Sequence, residues 1–478
     1  MQYIVPDEIS RRMLLGGLAT VGAAAQLRAG ATIATSKSAT FDEAIARMIK
    51  RGEARQLALR KAFPFGKSDG SSPYVVSIRH GAFLDLKGDV DERAAAIERE
   101  TAMLRSEAAR GMFPPAFSID QMIAAETSAL PSSGPVREAM LRQSATLGDM
   151  RAKSPEGAGV WRLPGGADYY RLRLRCTTGT DLSPLEVDRR ISAAIATLSA
   201  RADRLLQKAG LARGDIGARL REFRARSALY NNDDAGREAA IASMSSAIDR
   251  LRPHLPSWFN PPFEAQSSVR RMTPSDERAA KRGYRDPPTA SAPGTYFPDL
   301  SAVQDRPAWT LTTVAFHETV PGHLLQARRQ GSLAPPPSAL QLRHASGYGE
   351  GWPIYAESLV DRIGLLSPTE QLGFLQSWLF RMARVRADIG IHVHRWTRAQ
   401  AIRFLQETVG FELFFPFAVE VDRYIIEPAS FAGDALFALA LRDAAPRSPI
   451  AARDFHDLVL NRGPLSIEAL AEVRRAPA

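Results

Sequence analysis

Residues 313–326 read Thr-Val-Ala-Phe-His-Glu-Thr-Val-Pro-Gly-His-Leu-Leu-Gln, two histidines with a glutamate directly after the first. Two imidazoles and an adjacent carboxylate suit a hydrolytic metal site, in which the rings bind the ion and the glutamate takes a proton from water. In the H-E-x-x-H helix of zinc hydrolases the rings lie one turn apart, whereas His323 follows His317 by six positions. Six residues turn a regular helix by about 600°, which separates the rings onto different faces. Pro321-Gly322 interrupts that gap. Pro321 cannot donate to the carbonyl of His317, and Gly322 tolerates unusual dihedrals. Either a two-residue bulge returns His323 to the face of His317, or the Pro-Gly pair ends the helix and the histidines are unrelated.

Glu350 lies 27 positions after His323 and opens a further helical stretch; Glu357, seven residues on, shares its face. A carboxylate there completes a His2Glu set for zinc and leaves a fourth position for water. Glu357 fits an outer role, orienting a ligating imidazole. Downstream, Asp388 and His392 are one turn apart and can pair, and a histidine so held suits stabilising an oxyanion or steering a proton. Arg381 and Arg384 share a helix face and are candidates, with Arg423, for holding a substrate carboxylate. Tyr424 is a second candidate oxyanion donor. Each has a plain alternative: a core histidine, a solvated arginine, a buried structural tyrosine.

His-Glu-x-x-Pro-Gly-His-x-x-Gln (317–326), Gly-Glu-Gly-Trp-x-x-Tyr-x-Glu-x-Leu (349–359), Arg-x-x-x-Asp-x-Gly-x-His (384–392) and Glu-x-x-Arg-Tyr-x-x-x-Pro (420–428) together resemble bacterial domain-of-unknown-function family 885. Fainter similarity, including Gly294-Thr295-Tyr296, extends over most of the chain. The resemblance implies a helical zinc metallopeptidase of the gluzincin type, with His317, His323 and Glu350 on zinc and Glu318 activating water. Glu350-Gly351-Trp352 is also similar to the Glu-Gly-Phe third-ligand motif of gluzincin aminopeptidases. Where the family continues Gly-Gln-Ala and then Tyr-Lys-x-Gly, this chain reads Ala429-Ser430-Phe431-Ala432-Gly433-Asp434. If the family's tyrosine serves the oxyanion or the substrate, Tyr424 or His392 must replace it here.

The remaining sequence must position these residues. From about residue 40 apolar positions recur three and four apart over 41–61, 91–109, 184–209, 215–224 and 235–251, so the expected fold is mainly α. Strand signal is confined to 74–78 and 169–178. A Pro-rich connector (253–307) separates an N-terminal helical half (37–252) from a C-terminal catalytic half (308–478), with a deep cleft expected between flanking helices. Residues 1–31, with Ser10-Arg11-Arg12, a short apolar stretch and Ala29-Gly30-Ala31, have the layout of an export signal of the twin-arginine type. They predict delivery to the periplasm by the twin-arginine machinery, with no stable membrane span left after signal removal. The chain has 478 residues, 45% of them hydrophobic, and a formal charge of +10. Those values exclude a disordered chain and a polytopic membrane protein. The excess arginine is scattered among acidic residues with no basic run, which argues against a nucleic-acid partner. One cysteine excludes a thiolate metal site and a disulfide framework. The expected function is therefore a zinc peptidase acting on short peptides. The rivals are a zinc hydrolase of a non-peptide amide or amino-acid conjugate, and an inactive envelope scaffold.

Overall fold

The computed structural model describes residues 31–75, 89–261, 267–289, 292–413 and 415–475. In chain order the N-terminal helices are α1 (Ala31–Ala62), α2 (Val90–Ala108), α3 (Ala116–Ala129), α4 (Pro135–Lys153), α5 (Gly166–Thr178), α6 (Pro184–Lys208), α7 (Ile216–Arg226) and α8 (Asp234–Leu251). The connector carries β1 (Ser268–Val269), the short α9 (Pro274–Arg278), β2 (Tyr284–Asp286) and β3 (Thr295–Phe297). Then follow α10 (Ala308–Glu318), α11 (His323–Gly331), α12 (Ala339–His344), α13 (Tyr348–Arg362), α14 (Pro368–His392), α15 (Arg398–Val409), α16 (Phe417–Ile426), α17 (Ala432–Ala444), α18 (Pro449–Leu460) and α19 (Ile467–Arg475). The export-signal reading of residues 1–31 lies outside the described residues, apart from Ala31 at the start of α1. No helix among the described residues is long and apolar enough to cross a membrane.

Local chemistry sets the helix boundaries. Ser183 accepts from the backbone N–H of Glu186 while Glu186 returns a bond to the Ser183 backbone, and Pro184 occupies the first turn of α6. Val187, Ile191, Ala194, Leu198, Ala202 and Leu206 then form its buried stripe. The same reciprocal cap starts α14 at Ser367 and Glu370, and α15 at Thr397 and Gln400.

The strand expected over 169–178 is instead α5. Arg171-Leu172-Arg173-Leu174-Arg175 alternates like a strand, but the buried residues Tyr170, Leu174 and Thr178 recur every fourth position. Of the other expected strand, 74–78, residues 74 and 75 form a bend and the rest lies outside the described residues. The sheet that does form belongs to the connector, in the order β1-β3-β2. β1 runs parallel to β3, β2 runs antiparallel to it, and Arg285 pairs with Tyr296. Pro287 and Pro298 directly follow β2 and β3, where their missing N–H ends the ladder.

One hydrophobic core draws on both halves of the chain, from Phe41 and Leu59 through Trp352 and Trp378 to Leu470. α14 lies at its centre and packs on α6, α10, α15 and α16, while α5 and α13 pack on α17. Arg47 and Arg51 of α1 pair with Glu472, and Arg55 pairs with Glu468, joining the two ends of the described chain.

Within α2–α4 a glutamate is buried with no cation beside it among the described residues. Glu126 is fully buried, takes a hydrogen bond from Ser144, and leaves its Oε1 without a partner among those residues. Burial, reinforced by the charge of Glu100 and opposed by Ser144, raises its pKa to about 7. The folded-state pKa lies above the unfolded one. The stabilisation is therefore complete below the ordinary carboxylate pKa of about 4.5 and is lost as pH rises through about 7. Glu126→Gln should stabilise the protein at pH 8 by up to about 3 kcal/mol and change it little at pH 4. Thermal melts from pH 4 to 8 check this, and an equal shift at both ends would refute it.

Candidate metal centre

The motif region folds as two helices. α10 ends at Glu318, and α11 begins at His323. The turn between them is closed by backbone bonds: Thr319 N–H donates to Ala315 O, Gly322 N–H to Phe316 O and Leu324 N–H to Thr319 O. A Cβ on Gly322 would lie 2.0 Å from the carbonyl oxygen of His317, so this close approach requires glycine. The Pro-Gly pair does end the helix. Even so, the rings of His317 and His323 meet edge to face with centroids 5.0 Å apart, because the four-residue turn between the two helices brings His323 back beside His317.

α13 is fixed against both segments. Trp352 Nε1 donates to Pro321 O at 3.0 Å, and Gln326 Nε2 donates to Tyr348 O at 3.0 Å. α13 starts at Gly347, in the left-handed region, where a Cβ would strike Gly433 O at 2.2 Å. The first turn of α13 therefore sits against the histidines and delivers Glu350, whose carboxylate lies 3.5 Å from His317 Nε2 and 3.4 Å from His323 Nε2.

One ligand atom from each of His317, His323 and Glu350 falls within 4.8 Å of the others. Tetrahedral zinc with bonds of about 2.0–2.1 Å separates its ligands by about 3.4 Å, close to both histidine–carboxylate distances. Among the described residues, His323 Nε2 is buried with no partner besides the nearby Glu350 carboxylate. The Glu350 side chain is 43% exposed, so the cluster opens to solvent on that side. Two imidazoles, a carboxylate, an orphaned nitrogen and an open side fit a metal with one exchangeable position. Glu357 is buried and holds His317 Nδ1 at 2.8 Å, which points Nε2 toward Glu350. Burial would depress the His317 pKa, but hydrogen bonds to Glu350 and Glu357 raise it to about 9. Glu357→Ala should weaken zinc affinity about 10–100-fold while leaving the three ligand atoms in place. Competition with a zinc chelator measures this, and unchanged affinity would remove Glu357 from the site.

Glu318, the last residue of α10, faces Arg285 of β2, whose guanidinium donates to Glu318 Oε2. Burial pushes Glu318 up, yet Arg285 and the two histidines outweigh it and hold the carboxyl below its ordinary value. Arg381 reaches the other flank, with Nη2 3.5 Å from His317 Nε2 and Nη1 3.8 Å from Glu350 Oε2. Asp434, near the start of α17, is within electrostatic reach of Glu350, Arg384 and Arg381, and burial together with Glu350 raises it to about 7.

Five other candidates lie in networks of their own, away from the cluster. His392 accepts from Val160 N–H at Nδ1 and bonds Tyr424 O through Nε2, so neither ring nitrogen is left for an oxyanion. It stacks on Tyr170, and burial lowers its pKa to about 4. Asp388 accepts from Tyr170 Oη at 2.5 Å and from Ala429 N–H, and stands 3.6 Å from His392 Nε2. The expected Asp388–His392 pair thus ties α14 to α5 and to the segment after α16. Tyr424 is fully buried and donates to Glu420 Oε2 at 2.9 Å. Arg384 and Arg423 converge on that same Glu420 and cover Phe431, so both balance a buried carboxylate. Sequence reasoning missed Arg285 and Asp434. Arg285 carries no periodic or motif signal in its Pro-rich surroundings.

A family model described as a bacterial protein of unknown function, DUF885, matches residues 127–473. The chain belongs to this family. The DUF885 match spans α4–α19 nearly in full and so includes the whole cluster. No curated protein sequence matches the chain. A solved structure from Colwellia psychrerythraea, described as a candidate lipoprotein, is similar at a TM-score of 0.68 and 22% identity, covering 86% of this chain and 82% of that one. A second, from Shewanella oneidensis, described as a candidate lipoprotein of unknown function, is similar at a TM-score of 0.61 and 15% identity, covering 81% and 79%. At these identities both likenesses establish the fold alone.

Proposed function

We propose that this DUF885 protein is a zinc-dependent, gluzincin-like peptidase that hydrolyses short peptides. The observation that carries the reading is the convergence of His317, His323 and Glu350 at zinc-like ligand separations, with Glu318 alongside. Zinc held there supplies a water acidified toward a pKa of about 7 and polarises the scissile carbonyl. The chain's own residues do the rest. Glu318 accepts the proton of the attacking water and delivers it to the leaving nitrogen. Glu357 keeps the His317 ring oriented through Nδ1. Arg381, beside His317 and Glu350, places positive charge near the carbonyl oxygen as it becomes anionic, the role that Tyr424 and His392 are not placed to fill.

The protein is further proposed to act outside the cytoplasm after twin-arginine export. The paired Arg11-Arg12 ahead of a short apolar stretch supports this, as does likeness to two proteins described as candidate lipoproteins. The test of function is zinc-loaded protein incubated with a mixed library of short peptides and read by mass spectrometry. Chelator-sensitive cleavage is expected. A full zinc complement with every peptide intact would overturn the reading.

A further inference from the structure

The base of the proposed reaction is already held by a cation. Arg285 donates to Glu318, and each side chain is only 16% exposed. Arg285 is set in place by the sheet. It is the cross-strand partner of Tyr296, so both side chains leave the same face of β2-β3.

The chemistry of hydrolysis fixes what lies beside Glu318. The residue that protonates the leaving nitrogen stands on the leaving-group side of the scissile bond. When the last peptide bond is cut, that nitrogen belongs to the terminal amino acid, whose carboxylate is two bonds away. Arg285, touching Glu318, is therefore in reach of a terminal carboxylate, and a planar guanidinium suits that group. Arg381 lies against the ligands instead, while Arg384 and Arg423 are bound to Glu420.

Resting on the peptidase reading, we propose that Arg285 receives the free C-terminal carboxylate of the substrate, so that the enzyme removes one amino acid from the C-terminal end of a short peptide. In the reaction the water oxygen bonds to the carbonyl carbon and the C–N bond breaks, its electron pair staying on nitrogen. Glu318 conveys the water's protons to that nitrogen. The products are a shortened peptide carboxylate and one amino acid with its ammonium group.

The test compares an N-acetylated dipeptide with its C-terminal amide. By calorimetry on metal-free protein, the acid should bind at least about tenfold more tightly than the amide. Arg285→Gln should erase that preference, and Arg285→Lys, which keeps the charge beside Glu318, should retain part of it. On zinc-loaded protein, kcat/KM should be about 100-fold higher for the acid, and Arg285→Gln should bring the acid-to-amide ratio of kcat/KM close to one. Equal binding of acid and amide by wild type, or undiminished preference after Arg285→Gln, would overturn the proposal. Acid-selective binding without cleavage of any peptide by zinc-loaded protein would overturn the peptidase reading instead.

Discussion

Purified protein reconstituted with zinc should hold about one ion per chain, and Glu350→Ala and His323→Ala should each lose it. The expectation follows from the ligand geometry. Glu350 is the donor that brings both histidines to 3.4–3.5 Å of one carboxylate, and His323 Nε2 is buried with no other partner among the described residues. Removing either leaves two donors, too few for a tight site. Because an ion that binds the folded state stabilises it, zinc should raise the melting temperature of wild type and leave both variants unmoved. Mass spectrometry for metal, beside circular dichroism to confirm folding, decides the matter. A wild type that takes no metal after reconstitution, or variants that keep it, would refute the site. Manganese or cobalt can also enter a His2Glu set in vitro, so the reconstitution should be repeated with each.

Glu318→Gln should keep the zinc and lose about 10²–10⁴-fold in kcat on whichever short peptides wild type cleaves. Glutamine preserves shape and still accepts a hydrogen bond from Arg285, but it cannot hold a proton between water and nitrogen. The substitution leaves the Arg285 charge without its counter-ion, a destabilisation of about 1–3 kcal/mol that melting will show separately from the kinetic loss. Normal zinc content with kcat within about threefold of wild type would assign the base elsewhere. Metal content and turnover together distinguish a ligand from a base. The first pair of variants loses both, and Glu318→Gln loses turnover alone.

The sequence by itself determined the mainly helical fold, because helix signals are local: a cap at Ser183 or Ser367, a proline in the first turn, apolar residues every third or fourth position. It also singled out the residues that the structure brings together, since His317, Glu318, His323 and Glu350 lie on two short motifs within 34 positions. Local patterns misled where two periods overlap, as in α5, whose Arg-Leu alternation imitates a strand although its buried positions follow a helix. Only the tertiary structure decided that the histidines meet across a helix break, because that depends on a tight turn closed at Gly322 and on Trp352 anchoring α13 to it. The same holds for the residues around the cluster. His392, Tyr424, Arg384 and Arg423 sit on the expected helices, but their partners are Val160, Glu420 and Phe431. Arg285 joins the cluster from a short strand in a Pro-rich connector. Spacing along a chain states which side chains share a face. What that face meets is set by packing between elements far apart in sequence, and that packing separates the residues of the candidate metal centre from those that hold the core.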